Sequence, residues 1–283
     1  MSEPKQRSDA SGSQGEMAVD LRTKHIRIAP VTMLADFEQC VDVQLAVWGY
    51  SDSDLIPKRV FIVAERIGGQ VLGAYDGKVL VGFAMAFPGY RDGRPYLHSH
   101  MLAVLSEYRN AGLGRRLKLA QRDDALARGF ELMEWTFDPL EIKNAHLNIA
   151  RLGAIARRYL RNIYGPSTSP LQGGLPTDRL VVEWWLRSER VRRVLGEEAS
   201  GEISKGEETA EQEAGDEVVE RIDVPCIIHD WKRDPKRRSL AESLQTRNRL
   251  ILESAFARGL AITGYERCAN GDGFFLLGCV SGL

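Results

Sequence analysis

The sequence predicts a mixed α/β fold in which helices flank a mostly antiparallel sheet, followed by a small C-terminal α/β unit. Short apolar runs with strand character surround turns such as Asp76-Gly77, which is a strong hairpin signal. Segments with helical apolar spacing lie between these runs. A stretch of acidic residues and glycines near residue 200 contains no aromatic residue and divides the chain.

Length and composition are those of a globular protein with two modest domains. The chain has 283 residues, of which 43% are hydrophobic and 27% are charged, and its net charge is −1. This balance favours neither a nucleic-acid partner nor an anionic membrane. No stretch reaches the roughly 20 apolar residues of a membrane span, and the N-terminus lacks a signal-peptide core. We therefore expect a cytoplasmic protein.

The cysteines give no sign of a metal site or a disulfide framework. Cys40, Cys226, Cys268 and Cys279 are far apart and form no C-x-x-C pair. We expect no bound metal.

Residues 1–22 are polar and predict a disordered tail, and residues 23–193 predict the first domain. Alternation predicts its strands, apolar spacing at three and four residues predicts its helices, and Pro57 begins one of them. The elements predicted in order are a strand at 25–28, helices at 35–48 and 57–65, strands at 71–75, 79–87 and 96–105, a helix at 113–128, a strand at 132–137, a helix at 143–164 and a strand at 178–186.

Residues 194–218 predict an acidic flexible linker, since Lys205 is the single cation among many carboxylates between residues 197 and 217. The remaining residues, 219–283, predict strands at 222–228, 261–265 and 274–280 and a helix at 240–258. A unit of this size buries little core of its own. We expect it to dock on the first domain, where it could wall the acceptor site; a separate partner-binding module is the alternative.

The stretch Arg109-Asn110-Ala111-Gly112-Leu113-Gly114-Arg115 predicts a pyrophosphate-binding turn. It follows the apolar run 101–105 and begins a helix, so backbone N–H groups and the helix dipole attract an anion. Gly112 and Gly114 allow close approach, and Arg109 and Arg115 add charge. A turn that only caps the helix is one alternative. A Rossmann site is another, but the third glycine is replaced by leucine and the preceding strands form hairpins.

Residues 103–114 resemble the V-x-P-x-x-R-x-x-G-x-G pattern of the GNAT superfamily of acyl-CoA-dependent N-acyltransferases, with Ser106 where proline is common. The predicted element order over roughly residues 24–190 is also that of the superfamily. Asn144-Ala145 through Leu152-Gly153-Ala154 partly matches its second motif, with shifted spacing. The strings 135–146 and 174–179 are similar to a poorly characterised bacterial and archaeal branch.

The resemblance implies acetyl-CoA or another acyl-CoA as co-substrate. The pyrophosphate would lie on the amides of the glycine turn, which are those of Asn110, Ala111, Gly112, Leu113, Gly114 and Arg115. The pantetheine arm would pair with the backbone of Leu102, Ala103 and Val104, like an added strand, where the fourth and fifth strands separate. Asn144 would hydrogen-bond the pantetheine.

N-acyl transfer requires a base for the amine and a donor for the oxyanion. His98 and His100 lie two residues apart on one strand face and titrate in a suitable range, although strand histidines with ordinary hydrogen bonds are the alternative. Glu134 is a second base candidate, or a solvent-facing residue. Asp138 would bind the substrate amine or cap the next helix.

The acid that protonates the leaving thiolate is less well defined. Many GNAT enzymes have a tyrosine where this chain has Ile149. Tyr159 and Tyr164 are substitutes, or packing tyrosines with satisfied hydroxyls. The thiolate can also leave unaided, since thiols have a pKa near ~8.5.

Together these features predict an acyltransferase that moves an acetyl or larger acyl group from CoA to the amine of a small molecule or amino acid. For a succinyl group, Arg179 or Arg151 would pair with the distal carboxylate. The alternative, motivated by Ile149, is a non-catalytic acyl-CoA-binding or protein-interaction module. A homodimer is left open.

Overall fold

The computed structural model describes residues 23–51, 53–197 and 218–280. The predicted tail at 1–22 and most of the predicted linker lie outside these ranges. The strands of the described residues are β1 (Arg27–Pro30), β2 (Gln70–Asp76), β3 (Val79–Arg91), β4 (Arg94–Val104), β5 (Leu132–Phe137), β6 (Ile155–Leu160), β7 (Arg179–Trp185), β8 (Glu220–Val224), β9 (Ala261–Arg267) and β10 (Gly273–Gly278).

Helices cover both faces of the sheet. They are α1 (Leu34–Trp48), α2 (Lys58–Arg66), α3 (Leu113–Ala127), α4 (Ile142–Ala145), α5 (Glu189–Leu195), α6 (Ile228–Arg233) and α7 (Arg238–Ala257), with 3₁₀ turns at Ser106–Tyr108 and Pro170–Gln172. A π-helical turn, His146–Arg151, continues α4.

All ten strands belong to one sheet in the order β1-β2-β3-β4-β5-β7-β6-β9-β10-β8. The β4–β5 pair is parallel and the other neighbouring pairs are antiparallel. A mixed, mostly antiparallel sheet flanked by helices confirms the predicted fold class. The single parallel pair, β4 with β5, joins the two antiparallel parts of the sheet.

The first half of the sheet is buried on both faces. Phe37 of α1 and Phe61 of α2 pack against Phe83 of β3 on one face. Leu113 and Leu117 of α3 pack in the cluster on the other face. This double burial explains why β2 and β3 are almost continuously apolar rather than strictly alternating.

The sheet opens between β4 and β5. Their pairing consists of Leu97 with Met133 and His98 with Glu134, and no further pair follows. On its other edge β4 stays paired to β3 as far as Val104, with a bulge at which His100 is the extra residue. The two strands therefore diverge beyond His98 and leave one edge of β4 facing a gap.

The predicted helix at 143–164 is too long. The helical segment ends with the π-helical turn at Arg151, Gly153 follows in the left-handed conformation at φ +74°, and residues 155–160 form β6. The chain turns at Gly153 because a left-handed glycine ends a helix without a Cβ penalty. Beyond it, β6 is held between β7 and β9, which are distant in the sequence.

The predicted strand at 222–228 is also too long. β8 ends at Val224, and Ile228 begins α6 after a turn in which the Ile228 amide donates to the Pro225 carbonyl at 3.0 Å. Proline cannot donate to a strand ladder, so pairing ends before it.

The C-terminal residues contact the first domain along the sheet and through ion pairs, which include a buried cluster around Lys232. Strand β9 pairs with β6 at Ile262 and Ala156. Lys232 of α6 donates to Asp138 at 2.9 Å and to Glu141 at 2.8 Å, and its side chain is 3% exposed. The nearby carboxylates raise the pKa of Lys232, and the Lys232 ammonium is the main influence that lowers the pKa of Asp138 against the effect of burial.

Replacing Lys232 by methionine should destabilise the protein by about 3–5 kcal/mol, because it leaves the buried Asp138 charge without its cation. Urea unfolding of the variant beside Lys236→Met, an exposed lysine of the next turn, measures this. Since the pKa of Asp138 is lowered in the fold, its contribution is present above its unfolded pKa and lost as pH falls through the folded pKa. Equal stabilities of the two variants would contradict the prediction.

Candidate active site

A cavity of about 480 Å³ occupies the gap between β4 and β5. Its walls come from six segments of the chain, represented by Tyr50 after α1, His100 of β4, Lys118 of α3, Trp135 of β5, Asn148 of the π-helical turn and Arg179 of β7. Because the cavity forms where two strands stop pairing, its walls include backbone as well as side chains.

The glycine turn lies at one end of this gap, at the N-terminus of α3. Gly112 has φ +77° and Asn110 has φ +60°, both left-handed. The amide of Arg116 makes the first helical bond, to the Gly112 carbonyl at 3.0 Å, so the amides of residues 113–115 precede the hydrogen-bonded ladder. Such amides at a helix N-terminus attract phosphate.

The two glycines of the turn have different structural requirements. Gly112 needs its left-handed conformation. Gly114 is helical, and a Cβ there would meet only the Leu102 and Leu147 side chains, at 3.8 and 4.0 Å. Packing within the protein therefore does not require glycine at 114.

Cationic side chains surround the turn, and each of them also donates a hydrogen bond within the protein. Arg109 donates to the Val104 carbonyl at 2.9 Å, and Arg115 donates to the Arg151 carbonyl at 3.3 Å. Lys143 of α4 donates to the Asn110 side chain at 3.3 Å. Sequence reasoning missed Lys143, because its approach to the turn depends on how α4 packs beside α3.

The predicted pantetheine-binding segment forms the edge of the gap. Leu102, Ala103 and Val104 pair with β3 on one side, and their other edge lies beyond the last β4–β5 pair. Leu102 and Asn144 both line the cavity, and Asn144 is exposed. The cavity therefore reaches the free edge of β4 at Leu102, whereas none of residues 109–115 of the glycine turn lines it.

The two histidines differ in their surroundings. Their rings lie 6.0 Å apart, centroid to centroid, and the His100 ring lies 5.5 Å from Phe87. His100 opens into the cavity, whereas His98 is half-buried and is not among the lining residues. Desolvation, with contributions from His100 and Lys118, lowers the pKa of His98 to about 4. Desolvation by burial also lowers the pKa of His100. A base with so low a pKa accepts a proton poorly near neutrality.

Glu134 lies in a buried ion cluster away from the cavity. Arg91 binds its carboxylate with two hydrogen bonds of 2.6 and 2.8 Å, and Arg158 adds another. Glu183 of the neighbouring strand pairs with Arg157 and Arg158 in the same cluster. The guanidinium groups of Arg91 and Arg158 use the carboxylate oxygens of Glu134, so Glu134 is occupied by structural contacts.

Asp138 lines the cavity, and both of its oxygens have partners. One accepts from the Leu140 amide at 2.9 Å and the other from Lys232. The predicted cap of the next helix is wrong, because Glu141 is the N-cap of α4 and the Asp138 contact with Leu140 lies in the turn before it. A substrate amine reaching Asp138 would share it with Lys232.

The tyrosines considered as acids are both hydrogen-bonded. Tyr159 donates to Asp178 at 2.8 Å, and burial next to that carboxylate raises its pKa far above the ordinary value. Tyr164 lines the cavity and lies 3.0 Å from the Thr136 hydroxyl. Ile149 is fully buried. Of these three residues, Tyr164 is the one placed to face a bound substrate.

Lys118 is the cavity residue that sequence reasoning missed. It is 2% exposed, and its amine donates to the Ser99 hydroxyl at 2.7 Å and lies 3.6 Å from the centre of the Trp135 ring. Burial lowers its pKa well below the ordinary value. The signal in the sequence is its position four residues after Gly114, which places both on one face of α3.

Arg179 supplies a positive charge at the polar end of the cavity. It donates to the Asp178 carbonyl at 2.8 Å and to the Gln172 side chain at 3.2 Å, and it stacks over Tyr164 at 5.6 Å. Among the described residues no carboxylate forms an ion pair with it. Arg151, the other predicted carboxylate partner, is not part of the cavity wall.

Comparison with protein families decides what kind of domain this is. Residues 37–148, which include the glycine turn and the gap between β4 and β5, match the Acetyltransferase (GNAT) family. The chain contains a GNAT acetyltransferase domain. The match ends within the π-helical turn, so the family comparison does not extend to β6, β7 or the C-terminal residues.

Solved structures similar to the GNAT domain cover about half of the chain. A Desulfovibrio desulfuricans GNAT-family structure is 13% identical, covering 57% of this chain and 99% of its own, with a TM-score of 0.47. A Salmonella typhimurium protein with its cofactor acetyl-CoA is 17% identical, covering 57% and 94%, with a TM-score of 0.46. The Escherichia coli ribosomal-protein-S18-alanine N-acetyltransferase is also 17% identical, covering 56% and 92%, with a TM-score of 0.46.

No curated protein sequence matches the chain. Within residues 23–51, 53–197 and 218–280, no helix is long and apolar enough to span a bilayer. The same residues contain no cluster of three or more His, Cys, Asp or Glu side chains placed to hold a metal ion.

Gly114 of the GNAT domain should tolerate alanine structurally but not functionally. Gly114→Ala should stabilise the protein by about 0.5–1 kcal/mol, since alanine favours a helix, while the new methyl group weakens CoA binding by roughly tenfold or more. Calorimetric titration with CoA and thermal unfolding measure the two effects. Ala127→Gly, at the exposed far end of α3, should lower stability and leave CoA affinity unchanged. Unchanged affinity in Gly114→Ala would remove the glycine turn from the binding site.

Proposed function

We propose that the protein is an acyl-CoA-dependent N-acyltransferase that transfers an acetyl or larger acyl group to the amine of a small molecule of the amino-acid type. One observation carries this proposal. A single cavity connects the free edge of β4 near the glycine turn, at Leu102 and Asn144, with a charged end at Asp138 and Arg179. A donor and an acceptor can therefore meet inside it.

The donor half of the cavity is suited to CoA. The amides at the start of α3 hold the pyrophosphate, with Lys143 and the arginines of the turn nearby. The pantetheine lies along β4 beyond His98, where its amides replace the missing β5 partner. The thioester then lies near the bulge at His100.

The acceptor half of the cavity carries charges of both signs. Arg179 has donors available for a carboxylate, and its planar guanidinium binds such a group with two hydrogen bonds. Asp138 and Glu141 lie on the same wall and favour a cationic amine. An amino acid presents both groups. Arg179 would equally hold the distal carboxylate of a succinyl group. Experiments on Arg179 must therefore vary both the acceptor and the acyl group.

The chemistry is direct attack of the neutral amine on the thioester carbonyl. The proton lost by the amine needs an acceptor, and the thiolate that leaves gains a proton. His100, Lys118 and Tyr164 are the titratable side chains around the middle of the cavity. Among them, burial lowers the pKa values of His100 and Lys118, which favours the neutral forms that can take up a proton.

A thiol-release assay tests the function directly. Purified protein with acetyl-CoA or succinyl-CoA is expected to release CoA thiol when supplied with members of an amine and amino-acid panel. Mass spectrometry of the product identifies the acylated amine. Tight CoA binding without turnover on any amine would favour a non-catalytic acyl-CoA-binding protein instead, and absence of CoA binding would overturn both functions.

Arg179→Met should raise the KM for carboxylate-bearing substrates by roughly tenfold or more, because one charge-assisted contact is lost. The KM for amines without a carboxylate should change little. Arg187→Met, which removes an exposed arginine beyond β7, is the matched control. Comparing acetyl-CoA with succinyl-CoA shows whether the lost contact belongs to the acceptor or to the acyl group. An equal effect on all substrates would indicate a structural role for Arg179.

A further inference from the structure

Lys118 combines deep burial with access to the reaction cavity. It belongs to α3, which begins at the glycine turn, and its amine lies between β4 and β5 where they part. We propose that Lys118 is the catalytic proton carrier, which accepts the proton of the attacking amine and delivers it to the leaving thiolate. This assignment rests on the proposed acyltransferase function.

The hydrogen-bond donors and the lone pair of the lysine amine support this role. A neutral amine has two N–H groups and one lone pair. The Ser99 hydroxyl accepts one N–H at 2.7 Å, and the face of Trp135, 3.6 Å away, receives another. Ser99 is fixed in turn, since its hydroxyl donates to Gln121 at 2.9 Å and thus presents a lone pair to Lys118. With both N–H groups engaged by protein, the lone pair remains for the cavity.

The same contacts stabilise the protonated form after it receives the proton. A tryptophan face is the best aromatic partner for an ammonium group. The Ser99 oxygen keeps its hydrogen bond in either charge state. The site therefore holds a neutral lysine at rest and an ammonium during the reaction, which is what a proton carrier requires.

The charges facing Lys118 leave its resting state neutral. His98 and His100 face it from β4, Glu134 of β5 is paired with Arg91 and Arg158, and Asp138 at the end of β5 is paired with Lys232. Arg115 and Arg122 on its own helix are cationic. Among the described residues no carboxylate forms an ion pair with Lys118, and burial alone accounts for its lowered pKa.

The step balances without any further reactant. The amine nitrogen forms a bond to the thioester carbon, its proton moves to the Lys118 lone pair, and the C–S bond breaks. The ammonium then returns the proton to the CoA thiolate, whose conjugate thiol has a pKa near ~8.5. The products are amide and thiol, and Lys118 is neutral again. This route supplies the acid that the chain lacks at Ile149.

Lys118→Met, which keeps the length and apolar contacts of the side chain, is the variant that tests the proposal. Its kcat should fall by roughly 10²–10⁴-fold, the usual contribution of a general acid–base group, with little change in KM or in CoA affinity. Lys78→Met in the exposed β2–β3 turn is the matched control. His98→Gln and His100→Gln are the rivals, and each should lose less activity than Lys118→Met.

The pH dependence distinguishes proton transfer from packing. The kcat of the wild-type protein should rise with pH as Lys118 loses its proton. This rise should occur at the same pH for acceptors whose own amines differ in pKa. In Lys118→Met the rise should be absent. Stability provides a second readout. Because the unfolded chain binds more protons than the fold between the lowered pKa and about 10.4, wild-type stability rises with pH there. Lys118→Met should therefore gain more stability at about pH 6 than at about pH 9.

Each outcome bears on one conclusion. Wild-type kcat in Lys118→Met, an unchanged pH limb, or a loss of folding stability that is the same at both pH values would overturn the role of Lys118 while leaving the acyltransferase function intact. A greater loss in His100→Gln than in Lys118→Met would transfer the role to His100. A wild-type protein that binds acetyl-CoA and acylates no amine overturns the proposed function and the proton carrier together.

Discussion

The parting of β4 from β5 after two residue pairs is the constraint on which the rest of this structure depends. A sheet that paired fully at this point would satisfy its own backbone and leave no cavity. Instead, β4 keeps its antiparallel partner on one edge and exposes the other. The loss of ladder hydrogen bonds has to be compensated elsewhere, and both sides of the gap are held by contacts outside the ladder.

Those contacts explain the position of the ion clusters. Below the gap, where the strands still pair, Glu134 is held by arginines of β3 and β6, so the junction is tied across three strands. At the far end, Asp138 is held by Lys232 from the C-terminal residues. The Glu134 cluster therefore lies where β4 and β5 still pair, and the Asp138–Lys232 pair lies at the other end of the gap. Of the two carboxylates that looked like catalytic candidates in the sequence, Glu134 is therefore structural, and Asp138 lines the cavity while it also holds Lys232.

Much of the first domain could be predicted because its signals are local. The Asp76-Gly77 turn, the apolar runs of β2 and β3 and the glycines at 112 and 114 each specify a conformation within a few residues. β6 could not be predicted in this way. Its residues 155–160 include two adjacent arginines and have no alternation, and they are a strand because β7 and β9 lie on either side of them. Non-local pairing decided the conformation there.

The candidate site also combines features that local sequence predicts with features that depend on distant contacts. Its predicted phosphate-binding end lies within one continuous segment, so that prediction needs only local sequence. Lys118 lies in that segment too, but a lysine on an amphipathic helix is usually solvent-exposed. Its burial depends on Ser99 and Trp135, which reach it from strands on the two sides of the gap. No local pattern encodes that meeting.

Helix α3 links these two kinds of feature. Gly114 and Lys118 are four residues apart, so they occupy the same face of one rigid helix, directed at the gap. The backbone positions of Gly114 and Lys118 are consequently separated by about 6 Å of helical rise, which the helix fixes and a flexible loop would not. An acyl-CoA bound at the glycine turn would extend along β4, beside the same helix that carries Lys118. Binding and proton transfer would then share one structural element, which explains why a buried lysine is placed there despite its desolvation cost.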